Sequence, residues 1–346
     1  AESKKYFISN FKPKKMEEDR KVSAALNALE TCLDLTSEDR ILVLSDSESS
    51  NVSSAFIEAC RIKGCAVDIF TLRSGSRPLK TVPHELDDLI EGKTVVLNII
   101  KAFPEEIPFR IEWILKVEKH KSIRTAHMPG ITEEMMTDGP VDVDYSLMKD
   151  KAEELLAKLK NVKSIHITTP AGTNLSLGVE GRRFIHDLHI GPGEIQNIPC
   201  GEVYCAPEED KANGTLVIDA SGGDLGLIST PLTINIKNGV IEKFESEDDE
   251  LVKTMKALTG EDIESNTIGE LGIGINSGAK IKGNMLEDEK STGTAHIAFG
   301  NNEDMPGGRN RAPIHRDLLF NLPTIRAYYT DGTERIVMKN GCIKSY

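Results

Sequence analysis

The stretch RILVLSDSESSNVSSAFIEACRIKGCAVDIFTL, residues 40–72, decides the fold of the first half of the chain. Its two ends, 40–46 and 65–72, are short apolar runs typical of buried strands. The segment between them opens with serines, which favour the first turn of a helix, and continues with apolar residues to Arg61. We therefore expect a strand, a helix and a second strand.

The same alternation continues through the first 148 residues. Further helices are expected at 14–35 and around 84–92 and 109–120, and further strands at 93–100 and near 122–128. This order predicts an α/β domain over 1–148, a Rossmann-like parallel sheet with helices on both faces. A dinucleotide site would need a glycine-rich turn after the first strand, and SDSESSN contains no glycine.

The second half of the chain has a different pattern. After a long helix expected at 146–162, strand-like runs alternate with turns that contain Gly, Asn or Asp. The segment IKNGVIEKF, 236–244, is a hairpin signal, and one helix is expected at 248–260. We therefore predict a β-rich α+β domain over 149–346.

Composition excludes several classes of protein. The 346 residues are 39% hydrophobic and 28% charged, which is typical of a soluble globular protein. A formal net charge of −13 argues against a nucleic-acid partner. No apolar run approaches the ~20 residues of a membrane span, and the N-terminus lacks an apolar signal core. The six cysteines form no CxxC pair, so we expect a reduced, cytoplasmic protein.

Acids and imidazoles lie in four apolar or glycine-containing segments of the second half, and these are Glu202, Glu270, His296, His315 and Asp317. An unpaired buried carboxylate costs several kcal/mol, so each must be paired, bonded to backbone or compensated by a cation. Taken singly, each is typical of a satisfied polar residue at a strand end. As a set, they are suitable donors for one or two divalent ions such as zinc, cobalt or manganese.

The segment IHRD, 314–317, shows how two of these donors could meet. Side chains at positions i and i+2 of a strand point to the same face, so His315 and Asp317 can reach one centre while Arg316 points away.

The order of the motifs resembles the aminopeptidase T type of thermophilic metallo-aminopeptidases. The motifs are NIPCGEVYCAP (197–207), GEL (269–271), HIAFG (296–300) and HRD (315–317), preceded by similar segments at 124–145 and 165–182. The resemblance implies a homo-oligomeric two-metal exopeptidase that acts on small peptides. It also implies that the five donors named above hold the metals and that Glu202 or Glu270 takes a proton from the attacking water.

The chain departs from this family pattern in three ways, and two of them, the absent tyrosine and the shorter length, favour an alternative. A family tyrosine beyond HIAFG is absent, Cys200 replaces a usual glycine, and the chain is shorter than typical family peptidases. The 2,5-dihydroxypyridine dioxygenases resemble these peptidases, are nearer this length and use one Fe(II) ion with the His-x-Asp pair. The alternative function is therefore a ring-cleaving dioxygenase.

The loop GNNEDMPGGRNRAP, 300–313, joins two of the proposed ligands. It could present Arg309 or Arg311 to a substrate carboxylate, or it could be a solvated surface loop. His186 and His189 match no motif, and we interpret them as structural residues or as residues at the rim of the site.

Overall fold

The computed structural model describes residues 11–260 and 262–344. Within them the chain forms two compact units. The first combines the chain up to Val143 with His189–Ile198, and the second combines Asp144–Leu188 with the chain from Pro199. The units therefore divide five residues before the expected boundary at 148, and a ten-residue segment that the sequence analysis did not anticipate returns to the first unit.

The secondary structure comprises eight helices and twenty strands within these described ranges. The helices are α1 (Phe11–Leu33), α2 (Ser50–Lys63), α3 (Glu85–Leu89), α4 (Ile107–Val117), α5 (Glu133–Thr137), α6 (Tyr145–Leu159), α7 (Asp249–Thr259) and α8 (Met285–Asp288). Short 3₁₀ turns lie at Ser74–Ser76 and Pro104–Glu106. The strands are β1 (Arg40–Asp46), β2 (Ala66–Leu72), β3 (Val95–Ile99), β4 (Arg124–His127), β5 (Val162–Thr168), β6 (Asn174–Gly178), β7 (Ile185–His186), β8 (Ile195–Asn197), β9 (Glu202–Cys205), β10 (Ala212–Ile218), β11 (Ser221–Gly222), β12 (Gly226–Leu227), β13 (Leu232–Lys237), β14 (Val240–Glu245), β15 (Ile268–Gly274), β16 (Thr294–Gly300), β17 (His315–Asn321), β18 (Thr324–Tyr329), β19 (Glu334–Lys339) and β20 (Cys342–Ile343).

The first unit contains a parallel sheet of five strands in the order β2-β1-β3-β4-β8. Strand β3 is wholly buried and β1 is buried after Arg40, as expected for strands covered on both faces. Helix α2 ends at Gly64, whose φ of 91° is the left-handed conformation that glycine adopts readily. The parallel α/β arrangement predicted from the alternation is confirmed.

Asp46, the last residue of β1, closes the turn that follows the strand. Asp46 Oδ1 accepts a hydrogen bond from the Ser49 backbone N–H at 2.8 Å, and Asp46 Oδ2 accepts one from the Lys101 N–H at 2.7 Å. The buried guanidinium of Arg77 pairs with the carboxylates of both Asp46 and Glu106. An internal ion-pair network therefore lies at the carboxyl end of β1.

The second unit contains two antiparallel sheets. One has eight strands in the order β14-β13-β10-β6-β5-β18-β19-β20, and the other has seven in the order β12-β11-β17-β16-β15-β9-β7. The predicted hairpin lies between β13 and β14, where Asn238 and Gly239 both have positive φ, of 49° and 81°, as a tight hairpin turn requires. The β-rich second half is confirmed. Among the described residues, no helix is sufficiently long and apolar to cross a bilayer.

Candidate metal centre

Four neighbouring strands of the seven-stranded sheet carry the five predicted donors. Glu202 begins β9, Glu270 lies in β15, His296 lies in β16, and His315 and Asp317 lie in β17. These strands are consecutive in the sheet, and their cross-strand register brings all five side chains to one face. Residues distant in sequence thus converge because antiparallel partners project from the same side of a sheet.

Small residues lie opposite the donors on that face. The register pairs are Glu202 with Gly274, His296 with Gly272, Asp317 with Ala298 and His315 with Gly300. At Gly272 the space is needed for the imidazole, because a Cβ there would lie 2.0 Å from His296 Nε2. The sequence signal was present: in GELGIG the glycines at i+2 and i+4 share the face of Glu270. No role for this glycine pair was predicted from the sequence.

Glu270 lies between the two imidazoles. Its Oε1 is 3.3 Å from His296 Nε2, and its Oε2 is 3.1 Å from His315 Nε2. His296 Nε2 is also 3.3 Å from Glu202 Oε2, and His315 Nε2 is 3.3 Å from Asp317 Oδ1. Two groups of donor atoms result, each lying within 4.8 Å, and Glu270 belongs to both: Glu202–Glu270–His296 and Glu270–His315–Asp317.

A backbone carbonyl sets the tautomer of His315. Its Nδ1 lies 2.7 Å from the carbonyl oxygen of Asn301, which can only accept a hydrogen bond. Nδ1 therefore carries the proton, and in the neutral ring Nε2 is left with a lone pair that faces Glu270 and Asp317. This is the arrangement in which a histidine ligates a metal through Nε2.

Without a metal, protonated His296 and His315 balance the negative charge of the neighbouring carboxylates. Burial lowers the pKa of His296, but Glu270 and Glu202 raise it more, to about 9. Burial also lowers the pKa of His315, but Asp317 and Glu270 outweigh it and hold the pKa well above the usual value. Burial raises the pKa values of Asp317 and Glu270, yet the imidazoles bring both below their usual values. A divalent cation would compensate these carboxylates in place of the protons.

A buried lysine that the sequence analysis missed completes the cluster. The ammonium of Lys290 lies 2.5 Å from Glu202 Oε1, 2.8 Å from Glu289 Oε1 and 3.1 Å from Asp187 Oδ2. Burial lowers its pKa, but these carboxylates raise it well above the usual value. The run LEDEKS, 286–291, is typical of a solvated loop, so periodicity gave no sign that its lysine is buried.

The residues present fit divalent cations. Burial raises the pKa of the Glu202 carboxyl well above its usual value, and its buried Oε2 receives no hydrogen bond from any residue within the described ranges, so this polar atom has the partner it needs only when a cation is bound. One ammonium and five carboxylates meet here. With every carboxylate ionised and both imidazoles neutral they carry four net negative charges, which two divalent cations would match, and such cations would lower the pKa values of Glu202 and Glu289, which burial raises in the metal-free protein. The five carboxylates belong to Asp187, Glu202, Glu270, Glu289 and Asp317.

Comparison with known families agrees with this donor set. A family model described as thermophilic metalloprotease (M29) matches residues 137–342, more than half of the chain. The chain belongs to the M29 family. Membership of this metalloprotease family implies a metal-dependent hydrolase with a peptide substrate, and the matched residues include all five donors.

Solved structures share the fold of this M29 protein at low identity. The 2,5-dihydroxypyridine dioxygenase from Pseudomonas putida KT2440 aligns with a TM-score of 0.72 and 18% identity, over 95% of this chain and 98% of that chain. Wild-type AmpT from Thermus thermophilus aligns with a TM-score of 0.69 and 15% identity, over 95% of this chain and 100% of that chain. No curated protein sequence matches.

The two arginines expected to bind substrate in the M29 chain are exposed. Arg309 is 77% exposed and its Nε lies 3.9 Å from Glu209 Oε2, while Arg311 is 78% exposed and donates from Nε to Glu303 at 2.5 Å. None of these contacts reaches the donor cluster, and a substrate role for either arginine stays a prediction.

Three further residues considered from the sequence lie apart from the donor trios. Cys200 is buried, and its carbonyl accepts a hydrogen bond from Asn276. His186 lies 3.7 Å from Glu153 and His189 lies 2.9 Å from Asp34, contacts that suit the structural interpretation of both imidazoles.

Proposed function

We propose that this protein is a two-metal aminopeptidase that removes N-terminal residues from small peptides. The observation that carries the proposal is the position of Glu270, whose two oxygens face two different imidazoles at 3.3 and 3.1 Å. A carboxylate in this position can bridge two cations, one in each donor group. The M29 family supports the hydrolase class, and the resemblance to aminopeptidase T supports the exopeptidase activity.

In the proposed assignment, Glu202 and His296 hold one ion, His315 and Asp317 hold the other, and Glu270 is shared. Carboxylate and imidazole donors suit zinc, cobalt or manganese. When bound by these residues, such ions would supply Lewis acidity that polarises a scissile carbonyl and lowers the pKa of the attacking water towards neutrality.

The chain's own groups would position these donors and accept the proton. The Asn301 carbonyl fixes the ring of His315. Lys290 engages Glu202 Oε1 and leaves Oε2 directed at His296. We propose that Glu202 or Glu270 takes the proton released by the attacking water, since both carboxylates lie within the donor cluster.

Metal content and peptidase activity test the proposal together. We expect about two equivalents of zinc, cobalt or manganese per chain and cleavage of aminoacyl p-nitroanilides that a chelator abolishes and added metal restores. One oxygen-sensitive iron per chain, with no cleavage of any aminoacyl amide, would refute it.

A matched pair of variants tests the ligand assignment. Asp317→Ala should lose metal and activity while the first unit stays folded. Asp219→Ala is the control, because Asp219 is also a partly buried acid that bonds β17, but through Asn321 at its other end. Full activity in Asp317→Ala would remove Asp317 from the centre.

One observation supports a second candidate. His296 and His315 lie 3.9 and 3.3 Å from Asp317 Oδ1, and two imidazoles with one carboxylate form the donor set of mononuclear Fe(II) oxygenases. The fold is also that of a 2,5-dihydroxypyridine dioxygenase. The hydrolase is favoured because Glu202 and Glu270 occupy the same cluster, and the metal content of the purified protein distinguishes the hydrolase from the dioxygenase.

The location and assembly of the protein stay predictions. None of its six cysteines, all within the described part of the chain, forms a disulfide, which is consistent with the expected reducing cytoplasm. A homo-oligomer is expected from the family resemblance, and equilibrium sedimentation would test it.

A further inference from the structure

Lys290 restrains the side chain of Glu202. Its ammonium is only 1% exposed and contacts three carboxylates, with the shortest contact, 2.5 Å, to Glu202 Oε1. One oxygen of Glu202 is thereby engaged. The other, Oε2, lies 3.3 Å from His296 Nε2.

Asp187 restrains the backbone of the same residue. Its Oδ1 accepts hydrogen bonds from the N–H groups of Gly201 at 2.8 Å and Glu202 at 2.9 Å. Its Oδ2 lies 3.1 Å from the Lys290 ammonium. Asp187 and Lys290 thus hold Glu202 from both sides, so Glu202 offers a single oxygen to the centre.

In the second donor group, Glu270–His315–Asp317, no lysine or arginine of the described residues forms an ion pair with a carboxylate. Within the described part of the chain, the ion-pair partners of Asp317 and Glu270 are imidazoles. The two candidate metal positions therefore differ in degree: the Lys290 ammonium lies 2.5 Å from Glu202, a ligand of one position, whereas it helps to lower the pKa of Asp317, a ligand of the other, only from beyond ion-pair distance.

We propose that Lys290 is a positioning residue that makes the two metal positions unequal. It limits Glu202 to one-oxygen ligation and repels a cation beside His296, so the ion at Glu202–His296 binds more weakly than the ion at His315–Asp317. This inference rests on the proposed two-metal centre. The ions should enter in sequence, and activity should follow occupancy of the weaker position.

Calorimetric titration of the chelator-treated full-length protein with Co²⁺ tests this, with the visible absorption of bound Co²⁺ as a second readout. The wild type should bind two ions in two resolved steps. Because a unit charge is removed close to a divalent ion, Lys290→Met should lower the Kd of the weaker step by roughly tenfold or more and leave the tighter step within about threefold. Lys290→Arg keeps the charge and should keep the wild-type separation of the steps.

Two further variants separate this role from a purely structural one. Lys158→Met removes another buried lysine of the second unit, one that pairs with Glu154, and should leave both steps unchanged. Glu289→Gln keeps the shape but removes a negative charge beside Lys290, and should raise the Kd of the weaker step several-fold. It also provides the test if Lys290→Met does not fold.

The outcomes distinguish two failures. A wild type that binds one ion per chain overturns the two-metal centre and this inference with it. Two ions with the same two Kd values in Lys290→Met as in the wild type overturn only the role of Lys290, as does an unchanged weaker step in Glu289→Gln.

Discussion

Replacing Gly272 with alanine tests whether this glycine provides the space that His296 occupies. A Cβ at this position would lie 2.0 Å from Nε2 and 2.1 Å from Cε1 of the imidazole. Ordinary contacts of carbon atoms lie at about 3.5–4.0 Å, so the ring must move by more than about 1 Å. The backbone of Gly272 is not left-handed, so alanine adds no backbone strain.

Two effects of known size follow from this displacement. Overpacking a closely packed interior costs about 1–3 kcal/mol, which lowers the Tm of a unit of this size by roughly 2–12 °C. Metal–ligand distances tolerate only about 0.2 Å, so a ring displaced by more than about 1 Å no longer ligates. We expect Gly272→Ala to melt earlier and to bind one Zn²⁺ per chain where the wild type binds two.

Scanning calorimetry and a Zn²⁺ titration measure the two effects. Gly75→Ala is the control, because a Cβ at Gly75 would contact nothing within 4 Å and its φ is not left-handed. A Gly272→Ala protein with the wild-type Tm and two zinc ions of unchanged affinity would refute the argument that this glycine makes room for the ligand.

Three further predictions concern charge. Glu270→Ala should lose both ions, since Glu270 belongs to both donor groups; retention of one tightly bound ion in metal analysis would contradict the bridge. In the metal-free protein, the folded-state pKa of His296 is raised from 6.5 to about 9. Its stabilising contribution is therefore complete below pH 6.5 and is lost as the pH rises to 9. Because the pKa of His315 is raised as well, the free energy of unfolding should fall by at least about 3 kcal/mol over that range in denaturant titrations, and bound zinc should abolish the change. Arg77→Met leaves the buried Asp46 carboxylate without its cation and should destabilise the first unit by about 3–5 kcal/mol, measured by chemical denaturation; a loss below about 1 kcal/mol would contradict the network.

Local pattern was sufficient to predict the longer elements. The apolar run 40–46 coincides with β1, and the hairpin signal at 236–244 lies across β13 and β14. The expectation that His315 and Asp317 share a face is also met, because both lie in β17 and both have nitrogen or oxygen atoms within reach of Glu270 or His296. Period and turn chemistry are local properties, so a single sequence reveals them.

The features that were missed depend on contacts between distant segments. Lys290 and Asp187 lie in polar stretches, and only the folded chain brings them against Glu202. Strand β8 has three residues and no apolar alternation of its own; it is a strand because β4 offers an edge to pair with. Gly272 is significant only because β16 places His296 opposite it. Because these contacts join segments that are distant in sequence, no periodicity in the sequence predicts them.

Residues 189–198 belong to the first unit although they lie within the sequence of the second, and this limits where the chain could be cut into fragments. A fragment cut after residue 148 would lack β8, and the exposed edge of β4 would present unpaired backbone groups to other chains. A fragment that begins at residue 149 would retain residues 189–198, which lie between Asp187 and Glu202 in sequence. It would lack the parallel sheet to which β8 belongs. The two units are therefore not interchangeable modules. Gene fusions, circular permutations and exchanges between M29 relatives should transfer both units together or rebuild this segment.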